Sequence, residues 1–198
     1  MKITVALPAA WCLAPLQEIA WISDPDLDDY PPRYGSPLKD GWTAVHEAVM
    51  SVYRAMQDAQ LDVLRTSWDV EVSTTLTRSQ ESIVYGWFFQ GEAPQWSPEE
   101  EAWLNGRHRT WALKDAGFVS APCLLIPVGD AIQFWDDHDW GPLDEQAVEY
   151  QRANLGWWMA DPIAEAWRSA NPIFAARWTE IIERWDRRLA ESTDPLVL

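Results

Sequence analysis

The sequence has little of what most metal and nucleophile sites require. It contains only two cysteines and three histidines in 198 residues. There is no CxxC pair, and neither Cys12 nor Cys123 has a cysteine or histidine close by in the sequence, which argues against a zinc site. P-loop, Rossmann, HExxH, EF-hand and nucleophile-elbow motifs are also missing. We therefore expect no metal, no cofactor and no catalytic residue, although an enzyme site assembled only by tertiary folding would leave no such motif.

Long apolar runs are missing as well. No stretch approaches the roughly 20 apolar residues that cross a bilayer. The apolar N-terminus is interrupted by Pro8 and Pro15 and is soon followed by Glu18, a pattern that is poor for a signal peptide. We expect a cytoplasmic protein without membrane association, whose two cysteines are buried thiols in a reducing compartment.

Basic residues are scarce relative to acidic ones. The chain has 15 Lys and Arg against 31 Asp and Glu, which gives a formal charge of −16. This charge would repel phosphates, so we expect no nucleic-acid ligand. It favours a basic partner or metal ions, or it serves solubility alone. In contrast, Trp is abundant, with 15 residues, and we expect most of these in the core and some in a groove or an interface.

The clearest structural signal runs over residues 69–90. In Asp69–Arg78, apolar or β-branched residues alternate with polar ones, with the period of two of a half-buried strand. Ile83–Phe89 is apolar on both faces, which indicates a strand covered on both sides or an aromatic face that contacts another molecule. These runs predict a β-hairpin central to an antiparallel sheet. Lys2–Leu7 predicts a further short strand, ended by Pro8.

Helices are predicted around this hairpin. Apolar residues recur at spacings of three and four between Asp40 and Ala59. Ser97-Pro98 and Asn171-Pro172 each mark a helix start, by the rule of a capping residue followed by proline, and the C-terminal part is predicted to be helical. The order of elements predicts a single α+β domain over residues 1–198, with helices packed mainly on one face of the sheet.

Two places in the sequence have residues suited to site chemistry. His46-Glu47 is not part of an HExxH motif because position 50 is Met, and we interpret this histidine as structural. Residues 136–139 supply three carboxylates and His138, a composition that suits a metal or a general base. Consecutive side chains rarely converge on one ion, however, so an exposed acidic loop is favoured there.

Three acidic segments are candidates for contact with a basic partner. One lies in a loop rich in Pro and Asp, one follows the predicted helix start at Ser97, and the third lies between two Trp residues that would act as anchors. The candidate partner-binding residues are Asp24, Asp26, Asp28, Asp29, Glu99, Glu100, Glu101, Trp135, Asp136, Asp137, Asp139 and Trp140.

The segment YGWFFQG, Tyr85–Gly91, lies between acidic segments and precedes a Trp-rich C-terminal half predicted to be helical. In these features the chain resembles the bacterial immunity proteins that guard against polymorphic or type VI secreted toxins, many of them nucleases. The resemblance implies an acidic surface that covers the basic active site of a toxin. We therefore expect a protein-binding module rather than an enzyme, present as a monomer or a homodimer.

The alternative is an enzyme or ligand-binding domain that takes a small molecule or a carbohydrate. Its site would be a Trp-lined groove, with acid–base chemistry from His138 and the carboxylates of the loop 136–139. A third hypothesis places the surplus Trp residues between subunits of a homo-oligomer. The position of the Trp residues in the fold discriminates between these hypotheses.

Overall fold

A computed structural model describes most of the chain. The described residues are 1–16, 41–59, 61–73, 75–89, 91–97, 102–126, 128–130, 132–133, 149, 153, 169 and 172–192. The strands are β1 (Lys2–Ala6), β2 (Trp11–Pro15), β3 (Ser67–Glu71), β4 (Gln95–Ser97), β5 (Ala102–Asn105) and β6 (Ser120–Leu125). The α-helices whose two ends lie within the described residues are α1 (Trp42–Asp58), α2 (Arg78–Phe88), α3 (Arg107–Asp115) and α4 (Pro172–Ser192).

The strands of the described residues form two sheets. The larger has the order β2-β6-β4-β5, in which β6 is antiparallel to β2 and parallel to β4, and β4 is antiparallel to β5. The smaller is an antiparallel ribbon of β1 and β3. The predicted α+β class with antiparallel strands is confirmed, and the predicted final helix is present as α4.

The pairing of β1 with β3 follows the alternation of an antiparallel ladder. Met1 and Val72 exchange hydrogen bonds of 2.9 and 2.7 Å at one end, and the Leu7 amide donates to the Thr66 carbonyl at 2.8 Å at the other. Because hydrogen-bonded and non-bonded pairs alternate, the even-numbered residues of β1 turn their backbone groups to the outer edge of the ribbon.

Two carbonyls on that outer edge accept hydrogen bonds from side chains. The Tyr85 hydroxyl donates to the Lys2 carbonyl at 2.6 Å, and the Trp11 Nε1 donates to the Ala6 carbonyl at 2.7 Å. The odd-numbered side chains Ile3 and Val5 point into the core and are fully buried. This ribbon confirms the predicted N-terminal strand.

The predicted hairpin over residues 69–90 is wrong. Of its first run, Asp69–Arg78, only Asp69–Glu71 lies in strand β3, and the run that we assigned to the second strand lies in helix α2, which begins at Arg78. The helix is fixed by a capping box: the Thr77 hydroxyl accepts from the Gln80 amide at 3.3 Å, and the Gln80 side chain accepts from the Thr77 amide at 2.7 Å. Helical spacing then buries one face, formed by Gln80, Val84, Trp87 and Phe88.

The predicted helix start at Ser97 is also wrong. Ser97 ends β4, Trp103 lies in β5 rather than in a helix, and the next helix among the described residues begins at Arg107. Trp96 and Trp103 pair across the two strands with ring centroids 5.4 Å apart in an edge-to-face arrangement, and both are buried. Such aromatic cross-strand pairs stabilise a sheet, and here the pairing overrides the local helix signal.

The core confirms the apolar stripe predicted for α1. This helix packs against β3, β6, α2 and α3, and its buried side chains are Trp42, Val45, Ala48, Val49, Val52, Tyr53 and Met56. Helix α4 is tied to α1 by buried Arg177, whose Nη2 donates to the Met56 carbonyl at 3.3 Å. Among the described helices, none combines the length and apolar character that crossing a bilayer requires.

His46 links α1 to β6, as expected of a structural histidine. Its Nε2 lies 3.0 Å from the Ser120 carbonyl, so the ring carries a proton there, and the ring stacks on Phe118 at 3.9 Å. Burial lowers the pKa of His46 below its ordinary value of 6.5, although the hydrogen bond to the Ser120 carbonyl partly opposes this shift.

We expect the stability to fall as the pH drops, in part because of His46. The unfolded state takes up the proton near pH 6.5 and the folded state only at lower pH, so the contribution of His46 is present above that value and is lost on acidification. Urea unfolding at several pH values between about 7 and 5 should show this slope, and His46→Gln should flatten it. An unchanged slope in the variant would contradict the assignment.

Candidate functional site

Two adjoining depressions lie beside helix α2. The first, of about 320 Å³, is lined by Ser82, Ile83, Gly86, Gly91, Glu92, Asn105 and Arg109. The second, of about 300 Å³, is lined by Thr4, Ser82, Tyr85, Gly86, Phe89 and Glu92. Because they share Ser82, Gly86 and Glu92, we treat them as one surface and call it the α2 groove. The volume of each depression suits one or two side chains or a small ligand.

Gly86 forms the floor of the α2 groove. It lies within the helix, where glycine is otherwise unfavourable, and a Cβ at this position would approach Glu92 Oε2 to 2.5 Å. The Glu92 carboxylate therefore lies against the backbone of α2, in space that a side chain would otherwise fill. Because Gly86 has no side chain, there is room for the Glu92 carboxylate within the groove.

The wall of the groove is held by hydrogen bonds to the turn that follows α2. The Arg109 guanidinium donates to the Glu92 carbonyl and lies 5.8 Å from the centroid of the Trp87 ring, within cation–π distance. Asn105 Nδ2 donates to the Gly91 carbonyl at 3.1 Å. The turn and α3 are thus fixed relative to α2, which gives the groove a defined shape.

Two exposed aromatic side chains form the rim. Phe89 is 62% exposed and Tyr85 is 46% exposed, and they lie four residues apart, on one face of α2 and its C-terminal end. The Tyr85 hydroxyl is held by the Lys2 carbonyl, so its ring has a fixed position. Exposed aromatic rings beside a depression are typical of an interaction surface.

Charged side chains continue the surface along the β1–β3 ribbon. Asp69 accepts from Lys2 Nζ at 2.7 Å and from the Thr4 hydroxyl at 2.7 Å, and Glu71 is exposed opposite Lys2. The hydrogen bond from Lys2 keeps the pKa of Asp69 below its ordinary value, and the bond from Thr4 lowers it further. Asp69 therefore stays ionised at neutral pH beside the rim of the groove.

The second depression of the α2 groove, which Arg109 does not line, has the groups that contact a cationic side chain. The aliphatic stem of a lysine or arginine packs on aromatic rings, and its charged end interacts favourably with ring faces and carboxylates. Phe89 and Tyr85 provide the aromatic rings on which the stem would pack, and Glu92 provides the carboxylate for the charged end. Within the described part of the chain, no group of three or more His, Cys, Asp or Glu residues is placed to hold a metal ion.

The partner-binding residues that we predicted from the acidic segments lie outside the described residues. They are Asp24, Asp26, Asp28, Asp29, Glu99, Glu100, Glu101, Trp135, Asp136, Asp137, Asp139 and Trp140. The loop 136–139, on which the enzyme alternative depends, lies outside them too. The two depressions beside α2 have no Trp among their lining residues, so this groove does not match the Trp-lined site of that alternative.

Sequence reasoning missed the α2 groove because it assigned the segment to a strand. In a strand, Tyr85 and Phe89 also share a face, but the groove depends on Gly86, Glu92 and Arg109 as well. The signal that would have corrected the assignment is the spacing of Thr77 and Gln80, which is that of a capping box.

Comparison of the chain with protein-family models, with curated proteins and with solved structures finds no match.

Proposed function

We propose that this chain is an acidic protein-binding module that neutralises a basic protein partner, such as a toxin enzyme, by covering its active site. Its role would be that of an immunity or inhibitor protein, acting in the cytoplasm as a monomer or a homodimer. The free thiols of Cys12 and Cys123 fit a reducing compartment.

The observation that carries the proposal is the exposed aromatic pair on the rim of the α2 groove, in a chain with a charge of −16. Binding energy at protein interfaces is concentrated in a few aromatic or arginine side chains that fill pockets, and Phe89 and Tyr85 are placed to act in this way. Lysine and arginine side chains of a basic partner would pack on these rings and approach Glu92.

The net charge would act mainly on the rate of association. A strongly acidic protein attracts a basic one over distances comparable to the Debye length, which is about 10 Å at 0.1 M salt. Electrostatic attraction of this kind raises the association rate more than it lowers the dissociation rate. A complex held in this way should form more slowly as the salt concentration rises.

The experiment is co-expression with the product of the neighbouring reading frame on the genome, followed by binding kinetics at two salt concentrations. We expect a stable complex with a basic partner, whose association slows in high salt. Phe89→Ala should weaken it by about 30-fold, which corresponds to a contact of about 2 kcal/mol, mainly through faster dissociation.

Val119→Ala is the matched control for Phe89→Ala. Val119 is 69% exposed and lines neither depression, so its truncation also removes exposed apolar surface and should leave the affinity unchanged. Gly86→Ala is a second test, because its Cβ displaces the Glu92 carboxylate while no charge is removed. Absence of a complex, or a complex with an acidic partner and no salt dependence, would rule out the proposed function.

A further inference from the structure

Two buried thiols face each other across β2 and β6, and the proposed function uses neither. Cys12 is directly opposite Cys123 in the antiparallel register, and their Sγ atoms are 3.6 Å apart. Both residues are almost completely buried, and both are free thiols in this structure. Since 111 positions separate them in the sequence, only the pairing of the two strands brings them together.

The position of the pair in the ladder is compatible with a disulfide. The Leu16 amide donates to the Val119 carbonyl at 2.9 Å, so Leu16 and Val119 are a hydrogen-bonded pair. Hydrogen-bonded and non-bonded pairs alternate along an antiparallel ladder, and Cys12 and Cys123, four positions away in the register, are therefore also a hydrogen-bonded pair. The Cα atoms of such a pair are about 5.5 Å apart, within the range found for disulfides. A bond of about 2.05 Å requires the sulfur atoms to approach by roughly 1.5 Å, and the Cβ atoms, which are wider apart in a hydrogen-bonded pair than in a non-bonded one, must close to about 3.8 Å by a small adjustment of the two strands.

We propose that Cys12 and Cys123 are the site of an internal, reversible disulfide, formed by exchange with a low-molecular-weight disulfide such as oxidised glutathione. This inference does not depend on the proposed function. It assigns to the two cysteines a covalent modification that joins strand β2 to β6, which lies between β2 and β4 in the larger sheet.

The reaction has two steps. A thiolate of one cysteine attacks the oxidised glutathione, forms a mixed disulfide and releases one glutathione thiolate. The thiolate of the second cysteine then attacks the protein sulfur of the mixed disulfide and releases the second glutathione. In total, the cysteine pair gives up two protons and two electrons, the glutathione disulfide is reduced to two thiols, and one protein disulfide forms.

The fold controls when this exchange occurs. Burial raises the pKa of Cys12, and its hydrogen bond with Cys123 raises it further, so the reactive thiolate is rare in the closed protein. In the described part of the larger sheet β2 is an edge strand, paired with β6. Local release of β2 would expose both thiols together, and its return would favour the internal bond over a mixed disulfide.

The experiment uses the reduced wild-type chain and oxidised glutathione at mildly alkaline pH, with and without urea below the unfolding transition. We expect a monomeric product that has lost two hydrogen atoms, retains no glutathione and yields one peptide containing both Cys12 and Cys123 on digestion. The product should form faster in urea, and a dithiol reductant should reverse it. Because a long loop is closed, its Tm should exceed that of the reduced protein by roughly 5–15 °C.

Cys12→Ser and Cys123→Ser are the matched controls. Each variant keeps one thiol and should yield only a mixed disulfide or a dimer, with no rise in Tm. If a serine variant does not fold, the wild-type mass, peptide map and Tm still decide the question. The proposal is overturned if the wild type gives only mixed or intermolecular disulfides while both thiols react, or if the bridged form has a lower Tm than the reduced one.

Discussion

Trp87→Ala is expected to lower the free energy of unfolding by about 3–5 kcal/mol, the range for removing a large aromatic side chain from a core. Trp87 is fully buried on the inner face of α2, and its Nε1 donates to the Pro122 carbonyl of β6 at 2.9 Å. The substitution removes apolar contacts and also leaves that buried carbonyl without this donor. It therefore loosens the attachment of α2 to the central sheet.

The measurement is urea unfolding followed by far-UV circular dichroism, since 15 Trp residues make fluorescence difficult to assign. Trp87→Phe is the control: it keeps an aromatic ring and removes the hydrogen bond, and we expect a smaller loss of about 1–2 kcal/mol. Equal losses for the two variants would show that the hydrogen bond, rather than the packing of the ring, supplies the stability.

Gly106→Ala should be the next most damaging change, at about 3 kcal/mol. Gly106 has φ +72°, a conformation that costs other residues roughly 1–2 kcal/mol. In addition, a Cβ at this position would lie 2.5 Å from the Cα of Pro94, so the backbone itself must move. Pro94 is held in place because its carbonyl accepts from the Leu124 amide of β6 at 2.8 Å.

Gly117→Ala is a matched control within the same chain. Gly117 also has a positive φ, of +90°, but a Cβ there would meet no atom within 4 Å. The difference between the two losses, measured by the same urea titration, isolates the contact with Pro94 from the strain of the left-handed backbone. Losses of the same size would contradict the close approach of Pro94 to Gly106.

Local patterns predicted the elements whose signals are periodic over many residues. The stripe of α1 and the short strand β1 both follow from the spacing of apolar residues, and both are present. The final helix α4 follows from its proline start and its stripe, in which Ile181 and Trp185 are buried. In each case the residues that decide the structure are neighbours in the sequence.

The errors arose where the deciding contacts are distant or where two local signals compete. In α2 the apolar run has the composition of a strand, and the capping box at Thr77 and Gln80 overrides it. In β5 the helix signal at Ser97 is overridden by the pairing of Trp103 with Trp96. The α2 groove could not be predicted, because it combines β1, α2, the turn after it, β5 and α3 from across the first 109 residues.

The two side-chain hydrogen bonds on the outer edge of β1 have a consequence for behaviour at high concentration. A bare strand edge presents unpaired carbonyl and amide groups to which a strand of another molecule can add, which begins aggregation. Here the Lys2 carbonyl accepts from Tyr85 and the Ala6 carbonyl accepts from Trp11. An incoming strand would have to displace both donors, so this edge of the ribbon is protected against intermolecular β-pairing.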